Sequence, residues 1–497
     1  MPSFLLTSKF GCLFLKKVHS ETPPIWSGRS KGRHIGFLYQ AVTIRIFQRA
    51  RKCGYRFLEN NKRKIYRELN AFAAPLVLKN LLQVLIELGL GMISGHISLA
   101  AIAATGTIDG LLYALIGFLG SGTVSYTIYA ARIVDKQSRE AKELFKSLVG
   151  LNGALGIGCT VILLLFAREI MAGIYHFDGQ LLALTVDYCR VSSWNVLLTL
   201  LSFALTNQMK VRKQTQGILQ ASFFGGLGQL ALTGLFAGLV FTGENRVLGV
   251  ALGGVLSEVF VFMYYAWLLR QDLGQLKGVS ACRWTFLLRK SGVLFLQELV
   301  EGSLFQVLVT AALARTGSLL FAAYQICLRL TEVFLAPLFM YCNGLMVLLG
   351  ERLGLGERES LRQLPRITLQ MFLSLFFAMA LPGWLFREQL LGLITNLPAV
   401  SAKGGSLLGL VILTEASRPF YEISKYSLQT VGGEKQALKI TGVINSGALL
   451  AIWLMPTRLP LILLSVMASQ LLCAGSFYFE FRKACADLFP VKVQLDK

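Results

Sequence analysis

Glu298 and Glu301 stand three residues apart in an apolar stretch at 291–314, so a helix there puts both carboxylates on one face, with no base nearby in the sequence. Two carboxylates sharing a low-dielectric site repel when both are ionised, so the pair favours holding one proton or one cation. A proton carrier or cation site requires that property. The plainer alternative is a neutral, hydrogen-bonded Glu or a pair with Lys79. Other apolar stretches are also interrupted by ionisable residues: Lys79 and Glu87 in the first, Asp109 in the second, Asp187 and Arg190 in the fourth, Glu258 in the sixth, and Glu415, Arg418 and Glu422 in the tenth. An ionised group at the centre of a bilayer costs about 2.5–3.5 kcal/mol on insertion scales, so each is expected to face a cavity or a partner. Asp187 and Arg190, and Arg329 and Glu332 in the eighth stretch, are three apart on one helix face and can neutralise each other. Arg418 can be held by Glu415 or Glu422, and Pro419 beside it frees a backbone carbonyl and favours a bend. Glu301, Glu298, Glu87, Asp109 and Glu258 are therefore the candidate cation or proton sites. Lys79, Arg418, Glu422, Pro75 and Pro419 are the candidates for lining or gating a cleft.

The elements that must position these groups are twelve apolar stretches, running from 71–94 to 460–481, most of them at or above the roughly 20 residues a helix needs to cross a bilayer. Pro75, Pro337 and Pro419 fall inside stretches and are expected to kink them. Of 497 residues, 54% are hydrophobic and 15% are charged, against about 25% in soluble domains. Mean hydropathy is +0.58. An ordinary soluble enzyme is excluded. Loops after even-numbered stretches carry clusters such as Lys210, Arg212 and Lys213 or Arg352, Arg358, Arg362 and Arg366, whereas loops after odd-numbered ones hold at most two basic residues each. By the positive-inside bias, the basic loops and both termini face the cytoplasm.

Net charge is +22, and residues 1–67 hold fifteen Lys or Arg against Glu21 and Glu59. That basic extension has no export-signal form. Its part at 45–69 suits a helix lying on an anionic membrane surface, or a disordered tail. A chain whose bulk is apolar owes its basicity to membrane insertion, so no nucleic-acid partner is expected. The nine cysteines form no CxxC, the four histidines have no metal-ligand spacing, and neither GxxxxGK[ST] nor GxSxG occurs, so no metal, no cofactor and no catalytic centre are expected.

The chain also repeats itself. Gly95-His-Ile-Ser-Leu-Ala-Ala101 resembles Gly317-Ser-Leu-Leu-Phe-Ala-Ala323 at an offset of 222, and Lys210–Thr215 resembles Thr430–Lys435 at 220. Two halves of six helices in the same orientation follow. They divide the chain into the extension 1–67, a first lobe 68–269, a linker 270–290, a second lobe 291–485 and a tail 486–497. Helices in lipid approach closely through small residues, here Gly91/Gly95, Gly234/Gly238, Gly249/Gly253 and the run Gly150, Gly153, Gly156, Gly158.

Ala322-Ala323-Tyr-Gln-Ile-Cys-Leu-Arg-Leu-Thr-Glu332, followed by Pro337, Gly344, Gly350 and Gly354, resembles the eighth-helix signature of the multidrug and toxic compound extrusion (MATE) family. Glu301-Gly-Ser-Leu-Phe305 is similar to that family's seventh-helix motif, Arg418-Pro419 with Gly432-Gly433-Glu434 to its tenth helix and helix end, and Leu248–Gly253 to the start of its sixth. The resemblance covers residues 68–485. It implies an all-α polytopic membrane protein, with twelve transmembrane helices in two pseudo-symmetric six-helix lobes around a central cleft. It further implies a secondary antiporter of the plasma (inner) membrane, exporting cationic or amphipathic small molecules in exchange for H⁺ or Na⁺ and working as a monomer in membrane lipid. The seventh-helix motif makes Glu301 the expected cation-binding carboxylate. The first helix departs from the family pattern, with Leu90 where many members carry Asp; Glu87, one turn earlier, could substitute. Arg418 stands near the position of a tenth-helix acid. The alternatives are a lipid-linked oligosaccharide flippase of the same superfamily, drawing positive charge from Lys79 and Arg418, or a non-transporting membrane scaffold.

Overall fold

The computed structural model describes residues 63–488, apart from residues 88, 91, 92, 94–96, 174, 281, 282, 395–397 and 457. The described residues from 64 onward cluster into one compact unit. The surface helix expected over 45–69 lies mostly outside the described residues, as do Gly91 and Gly95.

With no water to satisfy backbone amides in lipid, an apolar chain must close its hydrogen bonds within each segment, which leaves helices or closed barrels. Among the described residues there are twelve helical segments long and apolar enough to cross a membrane, and no strand. The first six are α1 (Arg63–Glu87), α2 (Ala104–Arg132), α3 (Arg139–Gly173), α4 (Gly179–Val211), α5 (Thr215–Val240) and α6 (Gly243–Leu268). The second six are α7 (Trp284–Ala314), α8 (Leu319–Gly354), α9 (Arg358–Leu385), α10 (Pro398–Thr430), α11 (Glu434–Leu454) and α12 (Leu459–Leu488). Arg63, Lys64 and Arg67 thus belong to α1, and α7 begins within the stretch expected as linker.

Prolines act unequally. α8 is interrupted at Ala336–Pro337 and α10 between Glu415 and Arg418, where the proline ring excludes the preceding turn's carbonyl and supplies no amide hydrogen. Through Pro75 the helix continues without interruption.

The halves meet where the end of α2 (Ser121–Arg132) packs on the end of α8 (Leu338–Gly354) and on the start of α7. Gly344, Gly350 and Gly354 make that approach possible. A β-carbon on Gly350 would stand 2.7 Å from the Ala131 side chain, one on Gly344 would stand 2.8 Å from Leu69, and one on Gly354 would collide with the Arg132 carbonyl. Gly249 and Gly253 do the same for α5 against α6, at the backbone of Ala237 and Thr233. Gly234, Gly238 and Gly158 face open space and take no part in such contacts, contrary to the small-residue expectation.

Polar ties between the halves gather at the end bearing the basic loops. Glu68 of α1 pairs with Arg352 of α8 at 2.7 Å, and Lys213 pairs with Glu351 at 2.5 Å. Arg132 donates to the Thr430 carbonyl at 2.6 Å. Buried Glu434 accepts from Tyr129 at 2.8 Å and pairs with Lys290.

Candidate functional site

α7 is regular from Trp284 to Glu298, then widens into a π-helical turn over Leu299–Phe305 before resuming at Gln306. Glu301 sits in that turn. An i→i+5 turn inside an α-helix shifts the side chains that follow it around the axis, and such turns recur at functional sites. Facing it, the second part of α10 (Arg418–Thr430) starts after the Pro419 break and presents Arg418, Glu422, Lys425 and Gln429 at helical spacing on one side.

Lys425 is the centre of the site. Its Nζ lies 2.8 Å from Glu301 Oε1 and 2.9 Å from Glu422 Oε2. It also stands over the rings of Tyr421 and Tyr426, at 5.1 and 5.2 Å from their centroids, where the ring faces favour a cation. The side chains of Lys425 and Glu422 are 4% and 5% exposed, that of Glu301 16%. Two carboxylates against one ammonium leave one negative charge in excess. Glu301 Oε2 is buried and has no hydrogen-bond partner among the described residues. One turn back on α7, buried Gln297 accepts from Gln429 at 2.9 Å and donates to Thr441 at 3.3 Å, which fixes α7 against α10 and α11.

The base that meets Glu301 is Lys425, from a helix 124 residues away in sequence, in place of the Lys79 named as the alternative partner. The signal available in the sequence was the Glu422-x-x-Lys425 spacing, which a search for acids passes over. Glu298 is exposed one turn from Glu301 and does not share its burial. Arg418 lies 3.8 Å from Glu415 across the α10 break, so of the two acids proposed for it Glu415 is the partner, and Glu422 turns to Lys425. Asp187 and Arg190 pair at 4.0 Å on an exposed face.

The first-half candidates are not brought into this cluster. Lys79 on α1 is half-buried, and Glu258 of α6 and Glu87 of α1 act on it electrostatically without closing to a 4 Å ion pair. Glu258 is half-buried on α6. Glu87 is exposed and accepts from Gln83 at 3.1 Å. Asp109 accepts from the Tyr188 hydroxyl at 3.1 Å, which ties α2 to α4. Pro75 lies one turn before Lys79 on α1. No cluster of metal-ligating side chains occurs among the described residues.

With this geometry in hand, known proteins give a consistent match. The family model described as MatE aligns with residues 75–235 and 296–454, once in each half. A probable multidrug resistance protein, YoeA, of Bacillus subtilis (strain 168) is 20% identical over 346 residues, covering 67% of this chain and 74% of that one. Protein DETOXIFICATION 42 of Arabidopsis thaliana is 26% identical over 188 residues, 36% of this chain and 34% of that one. The fold matches an outward-facing multidrug resistance MATE family transporter of the MOP superfamily with a TM-score of 0.74 at 16% identity, covering 85% of this chain and 96% of that one. A MOP superfamily transporter from Pyrococcus furiosus, whose binding pocket is described as reversed in polarity, matches at 0.73 and 17%, with the same coverage.

Proposed function

The chain belongs to the MatE family of multidrug transporters and is a multi-pass membrane protein, and from that premise we propose that it is a secondary active antiporter, exporting cationic or amphipathic small molecules across the plasma (inner) membrane in exchange for H⁺ or Na⁺. The observation that carries this reading is the buried Glu301–Lys425–Glu422 cluster, one negative charge in excess, on the two helices whose regular winding is interrupted at the site. A desolvated excess charge is costly until a cation or proton neutralises it, so coupling ion and substrate bind in competition. A π turn in α7 and a break in α10 are natural places for the backbone to change between two states. The differential affinity of those states for the two cations drives the cycle.

With the basic loops taken as cytoplasmic, the ties through Glu68, Lys213, Arg132 and Glu434 lie at the cytoplasmic end, and in this reading the coupling ion reaches the cluster from the exterior. Glu301 is then the exchanging carboxylate, and Glu422 its partner. Glu298 stands at the approach. Asp109, Glu87 and Glu258 serve the first half, and Lys79, Pro75, Arg418 and Pro419 shape the cleft. The flippase alternative draws on free positive charge from Lys79 and Arg418, and the nearness of Glu415 to Arg418 weakens it.

Inside-out vesicles with an imposed pH or Na⁺ gradient should take up a fluorescent lipophilic cation, and Glu301→Gln should lose that uptake with membrane insertion unchanged. Full uptake by the Gln variant would remove the carboxylate from the mechanism.

A further inference from the structure

Lys425 gives the site a property that its carboxylates alone would not have. An exchange site with two buried carboxylates and nothing else would call for two positive charges, as two protons, two monocations or one dication. Here an ammonium from the protein's own α10 already contacts one oxygen of each carboxylate, at 2.8 and 2.9 Å, and is itself 4% exposed. A second oxygen, Glu301 Oε2, stays buried and unpartnered. Of the neighbouring charges, Arg418 lies 3.8 Å from Glu415, and Glu298 and Glu332, the latter also acting on Arg418 from α8, are exposed to solvent. Tyr421, Tyr426, Cys342 and Cys473, from α10, α8 and α12, are residue types that ordinarily carry no charge at neutral pH.

We propose that Lys425 is a tethered counter-cation that sets the charge of the transported species, so the site takes one monovalent organic cation at a time and rejects dications. This rests on the cation-exchange reading of Glu301 and deepens it by naming the substrate class. In low dielectric a single unmatched charge is costly, so the count of fixed charges should dominate over the shape of the cation. A dication entering the wild-type site would leave one positive charge buried without a partner. A monocation would leave none.

The test uses the full-length protein in lipid nanodiscs and two probes, tetraphenylphosphonium with one charge and dequalinium with two, compared by equilibrium binding and mutual competition. The wild type and Lys425→Arg should bind the monocation and favour it over the dication by about tenfold or more. Lys425→Gln, with two negative charges in excess, should reverse that preference. Lys425→Gln leaves two carboxylates facing each other, which disfavours folding, so the test includes the double variant Lys425→Gln/Glu422→Gln, which restores one excess negative charge without the lysine and should return the monocation preference. Glu422→Gln alone, with none in excess, should bind neither probe well.

A folded Lys425→Gln that keeps the wild-type preference overturns the proposal, and so does a folded double variant that fails to bind the monocation. In both cases wild-type binding lost in Glu301→Gln would leave the cation-exchange reading standing. A wild type that binds neither probe overturns both.

Discussion

Lys79 on α1 and Glu301 on α7 are 222 residues apart, the same offset that relates the repeated segments, yet one is a cation and the other an anion. The helix ends keep that register where α2 and α8 end, at Arg132 and Gly354. In the first half the ammonium comes from the leading helix, and Glu258 and Glu87 act on it at a distance. In the second, the leading helix supplies the carboxylate, and Lys425 of α10 closes on it and on Glu422. The comparison teaches that the repeat preserves the helical walls while the sign of the charge they hold is free to reverse. Any helix that neighbours a charge can supply its partner, so polarity is not bound to the backbone plan.

If the second half carries the exchange, Glu301→Gln should abolish gradient-driven cation uptake while Glu258→Gln retains most of it; equal losses measured in the same vesicles would end the asymmetry. Next in size is stability. Lys425→Met leaves two buried carboxylates without their shared cation, and thermal unfolding in detergent should report a loss of about 3–5 kcal/mol. Lys79→Met removes no close contact and should change stability by about 1 kcal/mol or less.

Reversing the first-half polarity sharpens the comparison further. Lys79→Glu gives α1 the residue type of α7, and equilibrium binding should rise from about one monocation per chain to about two. An unchanged stoichiometry would mean that Lys79 is not what withholds a cation from the first half. The smallest effect belongs to Asp187→Asn. Its pair with Arg190 is 4.0 Å long and half exposed, so unfolding should shift by about 0.5 kcal/mol or less and uptake should not change.

Much of the fold was legible because its determinants are local. Hydropathy marked twelve segments, and Pro337 and Pro419 marked two of the helix breaks from the chemistry of one residue each. Pro75 did not behave alike; α1 runs through it. The glycines were half legible. Gly249 and Gly253 do lie against the backbone of α5, but Gly234 and Gly238 share the small-residue spacing and touch nothing, since spacing does not say which face a neighbour takes. At the site, Glu301 stood out as a carboxylate in an apolar stretch, whereas Lys425 was passed over because nothing near Glu301 in sequence points to it.

By itself the sequence determined the helical class, the number of crossings, the basic face and the repeat. Each follows from short-range chemistry: a backbone in lipid must satisfy its own hydrogen bonds, and apolar length and loop charge are read segment by segment. Only the tertiary structure decided that Glu301 and Glu422 share Lys425, that Arg418 goes to Glu415, and that the halves are tied at the basic-loop end. Charge pairing acts through space and over a few ångströms, so it depends on which helices become neighbours, and the order of residues along the chain does not specify that.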